Sequence, residues 1–539
     1  MFISGFKKIR EIRVKSSKIG GGISLPHAIW LPALTGVLSL AAFPKLNQGY
    51  LDWACFVPLL VFILRCAGAR RAFWAGFVAG FIQFFGLIAW IPQVLTRYGN
   101  VAEPLCWFLY LLMVGVLACF PGSACAVTRY CMRGLGSWAL FLFPAAWVSQ
   151  EYLRSYAPFG GFPWLLTGYS QTDYLHLVQI SDVTGVYGVS FLILTFNSAI
   201  VWALLSDTPK SRRMAPLALA LLLLGGSALY GERMLRRWGS LKPELTAALL
   251  QGNLSFEESE RELAWKFRDG YARMAERLEG TKVDLLVLPE SPTPLMFQFD
   301  TVYAGTLRQL AARYSLGMIF NNVTVSYAGG GERYFNSAYF LSRDGVEVGR
   351  YDKVHLVPFG EYVPWKSLFF FVESITKDVG DFQPGSNLTT VRLGDHTANA
   401  LICFEAIFPY LARQFVRRGS NLIVNLTNDG WYGDSAAPYQ HLAMARWRAV
   451  ENRRYMLRAA NSGISAIIEP TGALQMATGL LREDVCVGRF GFVQDQTWYT
   501  QHGDVLANVC VIITLVLGAW SAWSLRRAAL VECASLLAL

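Results

Sequence analysis

Three residues, far apart along this chain, carry the chemistry of a covalent acyl-transfer site. Cys403 closes the strand-like run Ala398-Asn-Ala-Leu-Ile-Cys403, with Phe404 and Glu405 directly after it. Glu290 ends Leu285-Leu-Val-Leu-Pro-Glu290, and Lys353 lies in Tyr351-Asp-Lys353-Val-His-Leu-Val-Pro-Phe-Gly-Glu361. A free thiol has a pKa of about 8.5 and needs a neighbouring base or positive charge to become a nucleophile. Glu290 can take the proton, and Lys353 can hold both the thiolate and the oxyanion of a tetrahedral intermediate. Singly, each has a plainer role: inert core for a strand cysteine, a cap or ion pair for the carboxylate, a solvated loop residue for the lysine. Their joint occurrence in one water-soluble stretch of an otherwise apolar chain points to acyl chemistry at a bilayer surface. His355, beside Lys353, and His441, opening a helical run, leave a Cys–His pair open as a rival. Glu290→Gln and His355→Ala separate the two, since full loss should follow only the first.

These residues need elements to position them, and composition bounds what those are. The chain has 539 residues, 53% hydrophobic, 14% aromatic and only 16% charged, against about a quarter charged in a soluble protein. Its net charge of +10 comes from basic residues grouped in short links between apolar runs. That is the pattern of membrane topology, not of a nucleic-acid-binding face. Of the 10 cysteines only Cys403 and Cys486 fall in the soluble part, and no CxxC pair or Cys/His ligand spacing occurs. Zinc and a disulfide framework are therefore not expected, and the acyl chemistry above needs no metal or organic cofactor.

After a basic start with Lys7, Lys8, Arg10, Arg13, Lys15 and Lys18, an apolar run over about 26–44 is long enough to be a retained membrane helix rather than a cleaved signal. Further runs lie at about 51–67, 72–95, 104–127, 136–152, 177–204, 214–230 and 504–524. The expectation is a polytopic α-helical membrane protein of about eight helices: a membrane domain over 1–240, a soluble domain over 241–500, and a last helix with its tail over 501–539. Basic links (Arg65, Arg70, Arg71; Arg129, Arg133; Lys210, Arg212, Arg213) alternate with links carrying only Lys45, Arg97 and Arg154. Basic links face the cytoplasm, so both termini are expected inside and the soluble domain outside. Arg233, Arg236 and Arg237 break the pattern and are read as contacts to anionic headgroups. Gly76 and Gly80 form a small-xxx-small packing pattern. Asp182 is a candidate intramembrane acid, but few ionisable groups lie mid-span, which argues against a proton-coupled transporter.

In the soluble stretch, Leu245–Leu250, Val283–Leu288, Ala400–Cys403 and Asn421–Leu426 read as strands buried on both faces. Phe256–Leu278 and Gln440–Arg458 read as helices, and the alternation points to an α/β layered domain. Leu368–Val372 is either a buried strand or a lid that dips into lipid. Asn387 and Asn425 match glycosylation acceptors to which the topology gives no role.

Longer stretches carry a resemblance. Gly161-Phe-Pro-Trp164 through Gly168-Tyr-Ser-Gln171, Leu288-Pro-Glu290-Ser, Lys353 to Pro364, Ile402-Cys403-Phe-Glu405 and Asn428-Asp-Gly-Trp431-Tyr-Gly433 resemble the nitrilase superfamily, and most closely its integral-membrane branch, the apolipoprotein N-acyltransferases. The resemblance implies an αββα sandwich between seven membrane helices and one. It implies Glu290 as general base, Lys353 as electrostatic stabiliser and Cys403 as nucleophile. Glu361 would orient Lys353 or the amine, Glu405 would support the site just after the nucleophile, Asn336 would steady the substrate or Glu405, and Trp431 would line the acyl pocket. The implied reaction moves an acyl chain from a phospholipid to the α-amino group of a diacylglyceryl-modified apolipoprotein, at the periplasmic face of a bacterial inner membrane. One departure stands out: Phe404 occupies a place usually held by tyrosine. Two other classes stay open. A membrane-tethered amidase would use the same residues with water as acceptor, and a transporter with a degenerate soluble domain would not need Cys403.

Overall fold

Strands apolar on both faces must be covered on both, and the soluble stretch meets this with two stacked sheets. The computed structural model describes residues 25–99, 101–255, 259–290, 293–328, 331–363 and 382–537. The first sheet contains β1 (Leu245–Gln251), β2 (Leu285–Val287), β3 (Gly317–Ala328), β4 (Gly331–Leu341) and β5 (Glu347–Asp352). The second contains β6 (Val391–Leu393), β7 (His396–Ile402), β8 (Leu422–Thr427), β9 (Met456–Ala460), β10 (Ala466–Ile468) and β11 (Leu474–Ala477); β12 (Asp484–Phe490) returns to the first. The orders are β12-β1-β2-β3-β4-β5 and β11-β10-β9-β8-β7-β6. β1, β2 and β3 run parallel, as do β7, β8 and β9.

Alternation along β1 shows the layering. Ala247 and Leu249 join the core between the sheets, whereas Ala248 and Leu250 join a separate core with Tyr303, Leu307 and Ala311 of the helix Thr301–Tyr314. The helices Pro409–Arg417 and Ala437–Asn452 cover the second sheet through Leu411, Phe415, Met444 and Trp447. The result is the expected αββα sandwich. The helix expected over Gln440–Arg458 ends early: Arg453 turns left-handed at φ 51°, and β9 follows. A left-handed residue is an ordinary helix stop, but periodicity alone cannot divide an apolar helix from an apolar strand behind it. The helix expected over Phe256–Leu278 starts at Glu260 behind a capping box of Ser259 and Glu262, and one π turn interrupts it at Lys266–Gly270.

Among the described residues, four helices are long and apolar enough to cross a membrane: Glu103–Phe141, Val186–Leu205, Lys210–Gly239 and Val505–Ala528. The pair Ala69–Leu87 and Ile91–Arg97, bent by 49°, adds a fifth if it is one span. The other apolar runs fold differently from expectation. The run over 51–67 yields a 3-10 turn ending at Trp53 and the nine-residue helix Val57–Arg65, and that over 136–152 continues the preceding span to Phe141 and then forms the 12-residue helix Phe143–Arg154. The run over 177–204 breaks at Gly185, whose φ of 62° leaves the span to begin at Val186. The short helices are packed inside the unit, with Leu59, Leu60, Ile63 and Phe143 fully buried. Leu219, Leu222 and Leu229 on Lys210–Gly239, and Leu515 and Val516 on the last helix, are instead exposed, as hydrocarbon contact requires. Gly76 and Gly80 pack as expected: a Cβ on either would come within 2.6 and 2.8 Å of Pro121.

The helix Ala437–Asn452 joins the two units. Gln440 accepts from Trp164 Nε1 at 2.9 Å and donates to the carbonyls of Pro44 (3.2 Å) and Leu87 (3.1 Å). Trp447 Nε1 donates to Thr172 at 2.9 Å, and Arg448 to the Tyr169 hydroxyl at 2.8 Å. Asp182, read above as an intramembrane acid, is the buried partner of Arg453 at 2.7 Å. The segment Leu368–Val372 and the basic residues before residue 25 lie outside the described residues.

Candidate active site

Parallel strands bring their C-terminal ends to one edge, where ligands of such sheets bind. Glu290 follows β2, Lys353 follows β5, Cys403 follows β7 and Asn428 follows β8. Cys403 also opens the helical turn Cys403–Ile407, and its φ of 50° is left-handed. A residue with a side chain holds that conformation only when its surroundings impose it, as they often do at functional sites.

The carboxylates, amine and amide interlock. Lys353 is 1% exposed; its Nζ is 2.8 Å from Glu361 Oε1 and 3.9 Å from Glu290 Oε1. The Asn336 amide donates to both acids, at 3.0 Å to Glu290 and 2.9 Å to Glu361. Backbone N–H groups take the remaining oxygens: Asn428 donates to Glu290 at 3.0 Å and Val357 to Glu361 at 2.8 Å. Asn336 therefore steadies the acids of its own sheet and not Glu405, which belongs to the other. Glu405 accepts from Tyr351 Oη (2.7 Å), Val354 N (2.9 Å), His355 N (3.1 Å) and Ile402 N (2.8 Å). It ties the loop after Lys353 to the turn at Cys403.

Charge follows geometry. Burial and the Glu290 charge push the Cys403 thiol up, with Lys353 opposing them. Burial likewise raises Glu290 against the pull of Lys353, which makes it a stronger base. Burial draws Lys353 down, but the charges of Glu361 and Glu290 outweigh it and keep the ammonium charged. The resting thiol holds its proton, and the raised Glu290 carboxylate is near enough for its charge to be felt there.

The two histidine rings bond to groups other than the Cys403 sulfur. His355 sets Nδ1 against the Tyr410 hydroxyl at 3.0 Å, its ring lies 3.7 Å from that of Phe408, and burial drops it to about 4. His441 uses both ring nitrogens on the Cys403 carbonyl and Asp429. Trp431 sits in the turn Asp429–Tyr432, edge-on to Tyr98 of the membrane unit at 4.9 Å. A loop of that unit also borders the site: Phe162 stacks on Phe404 at 6.5 Å and on Trp164 at 5.8 Å. The Phe404 ring is enclosed by Phe162, Phe408 and His355. Sequence reasoning missed the Asn428 N–H, because a main-chain donor leaves no mark on residue type. It also missed Tyr351, although Tyr351 directly precedes Asp352 in the lysine motif. Asn425, a formal glycosylation acceptor, is fully buried and donates to Leu401 O at 2.9 Å.

The two units match separate family descriptions. Residues 35–199 match "Apolipoprotein N-acyltransferase N-terminal domain", and residues 246–494 match "Carbon-nitrogen hydrolase". A protein of Geobacter metallireducens named apolipoprotein N-acyltransferase is 38% identical over 510 residues, covering 92% of this chain and 96% of its own. One of the same name from Methylococcus capsulatus is 33% identical, covering 88% and 92%. A solved amidase from Nesterenkonia sp. is 18% identical with a TM-score of 0.36, over 49% of this chain and 96% of its own. With apolar spans long enough to cross a bilayer, a nitrilase-like α/β domain and near end-to-end likeness to those relatives, the chain belongs to the apolipoprotein N-acyltransferase family, a membrane branch of the nitrilase superfamily.

Proposed function

We propose that this protein transfers a fatty acyl chain from a phospholipid to the α-amino group of the N-terminal diacylglyceryl cysteine of an apolipoprotein. Glu290, Lys353 and Cys403 are the catalytic triad of this reading. The observation that carries it is the convergence of a thiol, a raised carboxylate and a charged amine at one strand-end edge, with Asn336 and Glu361 fixing the last two.

In the first half-reaction Cys403 Sγ attacks the ester carbonyl carbon as Glu290 takes the thiol proton. Lys353 and backbone N–H groups hold the oxyanion. The intermediate collapses, the lysophospholipid alkoxide takes the proton from Glu290, and a thioester remains on Cys403. In the second half-reaction the α-amine attacks the thioester, gives a proton to Glu290, and the C–S bond breaks to restore the thiol. The scheme is ping-pong. Glu361 orients Lys353, Glu405 supports the turn at Cys403, and Trp431 lines the acyl pocket at the seam between the units.

In the same reading residues 1–240 and 501–539 hold about eight membrane helices in the inner membrane of a bacterium. Residues 241–500 form the periplasmic catalytic domain, and both termini are cytoplasmic. Both substrates are lipid-anchored, so the site belongs at headgroup depth. The aromatic cover of Phe162, Trp164, Phe404 and Phe408 favours a lipid acceptor over the water that an amidase would admit.

Intact-mass measurement of the purified protein with phospholipid and no acceptor tests this. One added fatty acyl group on Cys403, discharged by a diacylglyceryl peptide, is expected. Glu290→Gln should lower its formation about 10²- to 10⁴-fold, with His355→Ala within about an order of magnitude of wild type. An adduct that water removes as fast with the peptide as without it would mark an amidase. No adduct, with lipid transfer intact in Cys403→Ser, would sink the triad.

A further inference from the structure

Behind Cys403 lies a buried chain of groups that this reaction scheme leaves unused. His441, Asp429 and Arg458 are at most 1% exposed. His441 Nε2 is 3.1 Å from the backbone oxygen of Cys403. Its Nδ1 is 2.9 Å from Asp429 Oδ1 and 3.3 Å from Arg458 Nη2. Arg458 Nη2 donates to Asp429 Oδ2 at 2.6 Å, and Thr427 Oγ1 donates to Asp429 Oδ1 at 3.0 Å.

The Cys403 oxygen only accepts, so Nε2 donates to it, and the Asp429 carboxylate likewise accepts from Nδ1 at 2.9 Å. Burial and the Arg458 charge hold the imidazole below its ordinary pKa, against the Asp429 charge and the bonds to Asp429 and the Cys403 oxygen. Burial opposes ionisation of Asp429, but the Arg458 and His441 charges bring it down to about 2, so it stays an anion.

The Cys403 carbonyl and the Phe404 N–H belong to one planar trans peptide unit and point in opposite directions. Anchoring the oxygen therefore fixes the direction of that N–H. Phe404 lies in the first turn of Cys403–Ile407, where N–H groups lack partners within the turn. We infer that His441 is a positioning residue of the acyl-transfer step. By donating to the Cys403 oxygen it holds the nucleophile's backbone left-handed, and it aims and polarises the Phe404 N–H as a donor to the oxyanion beside Lys353. This inference rests on the reading of Cys403 as nucleophile.

The test uses full-length protein in detergent micelles with a palmitoyl-bearing glycerophospholipid, and follows the thioacyl adduct by time-resolved intact mass. Glutamine carries its amide nitrogen where imidazole Nε2 lies; asparagine carries it where Nδ1 lies. His441→Gln keeps the bond to Cys403, and its adduct should form within about threefold of the wild-type rate. His441→Asn keeps only the Asp429 side and should be slower by about 10- to 100-fold, with the half-saturating lipid concentration unchanged. Equal rates for the two variants, or a change confined to half-saturation, would overturn the role. So would a more than tenfold loss in a folded His441→Gln protein, which stands as the test if His441→Asn does not fold. Cys403→Ala is the control: an adduct there defeats the nucleophile assignment itself, whereas its absence with equal rates for both His441 variants defeats only the positioning role.

Discussion

Asn336 is the residue through which the candidate site is tuned. Its one amide group donates to two carboxylates that would otherwise repel each other, at 3.0 and 2.9 Å. A donated hydrogen bond favours the ionised form of an acid, so Asn336 draws Glu290 down while burial raises it, and burial wins. A general base works only when ionised, so thioacyl formation should fall as pH falls through the Glu290 pKa. Because that pKa is raised, the acid limb of single-turnover acylation should lie above 4.5, the ordinary value for glutamate. Asn336→Ala removes the bond that lowers it, and should move the limb to higher pH and weaken acylation at neutral pH. A limb below 4.5 in the wild type, or one that Asn336→Ala leaves in place, would defeat the assignment of Glu290 as base. The acid, the amine and the thiol were legible in the sequence because their motifs are long and their residue types are chemically telling. The partners of Asn336 were not, since only the register of β4 between β3 and β5 decides which carboxylates the amide meets.

At the scale of elements, the helix Ala437–Asn452 both covers the second sheet and docks the soluble unit on the membrane unit. Arg453, the left-handed residue that ends it, holds Asp182 at 2.7 Å with both side chains nearly buried. It also donates to the side chain of Gln179 at 2.5 Å and to the backbone of Pro470 at 3.0 Å. Removing one member of a buried pair strands the other charge, at a cost of about 3–5 kcal/mol, whereas replacing both with apolar groups can be nearly neutral. Arg453→Met should therefore lower the apparent melting temperature in detergent markedly, and Arg453→Met with Asp182→Leu should recover much of the loss. A double variant as unstable as the sum of the single ones would show that the pair does not couple the units. Sequence reading saw Asp182 as a lone acid near the end of a span, because nothing in the order of residues links positions 182 and 453. It overestimated the helix end for a related reason: apolar residues after Arg453 fit a helix as well as the strand they form.

At the scale of the whole molecule, apolar runs report a dry environment without saying whether lipid or protein supplies it. That is why the runs over 51–67 and 136–152 read as spans, although the helices Val57–Arg65 and Phe143–Arg154 that form there are only nine and 12 residues long and packed within the unit. Sidedness does not depend on their count. Arg129 Nε donates to the Cys66 carbonyl at 2.8 Å, which sets the basic links around Arg65–Arg71 and Arg129–Arg133 at one end of the helices. Gly134 lies against Trp520 and Ser524, so Arg526 and Arg527 of the last helix share that end. The opposite ends, at Pro44, Leu87 and Tyr98, meet Gln440 and Gly430 of the soluble unit. Basic links stay in the cytoplasm, so the soluble unit is expected on the far side. Between residues 208 and 260 runs one long helix, Lys210–Gly239, whose 30 residues extend about 45 Å at 1.5 Å each, more than the roughly 30 Å of hydrocarbon. Three basic residues lie near each of its ends, but Arg236 is paired with Glu232 at 2.6 Å and Arg237 with Asp495 at 3.3 Å. Reporter fusions after residues 208 and 260 should therefore report opposite sides, with 208 cytoplasmic and 260 periplasmic. Fusions on the same side would mean that this helix does not cross, and the site around Cys403 would then open to the cytoplasm, where the proposed lipoprotein acceptor could not reach it.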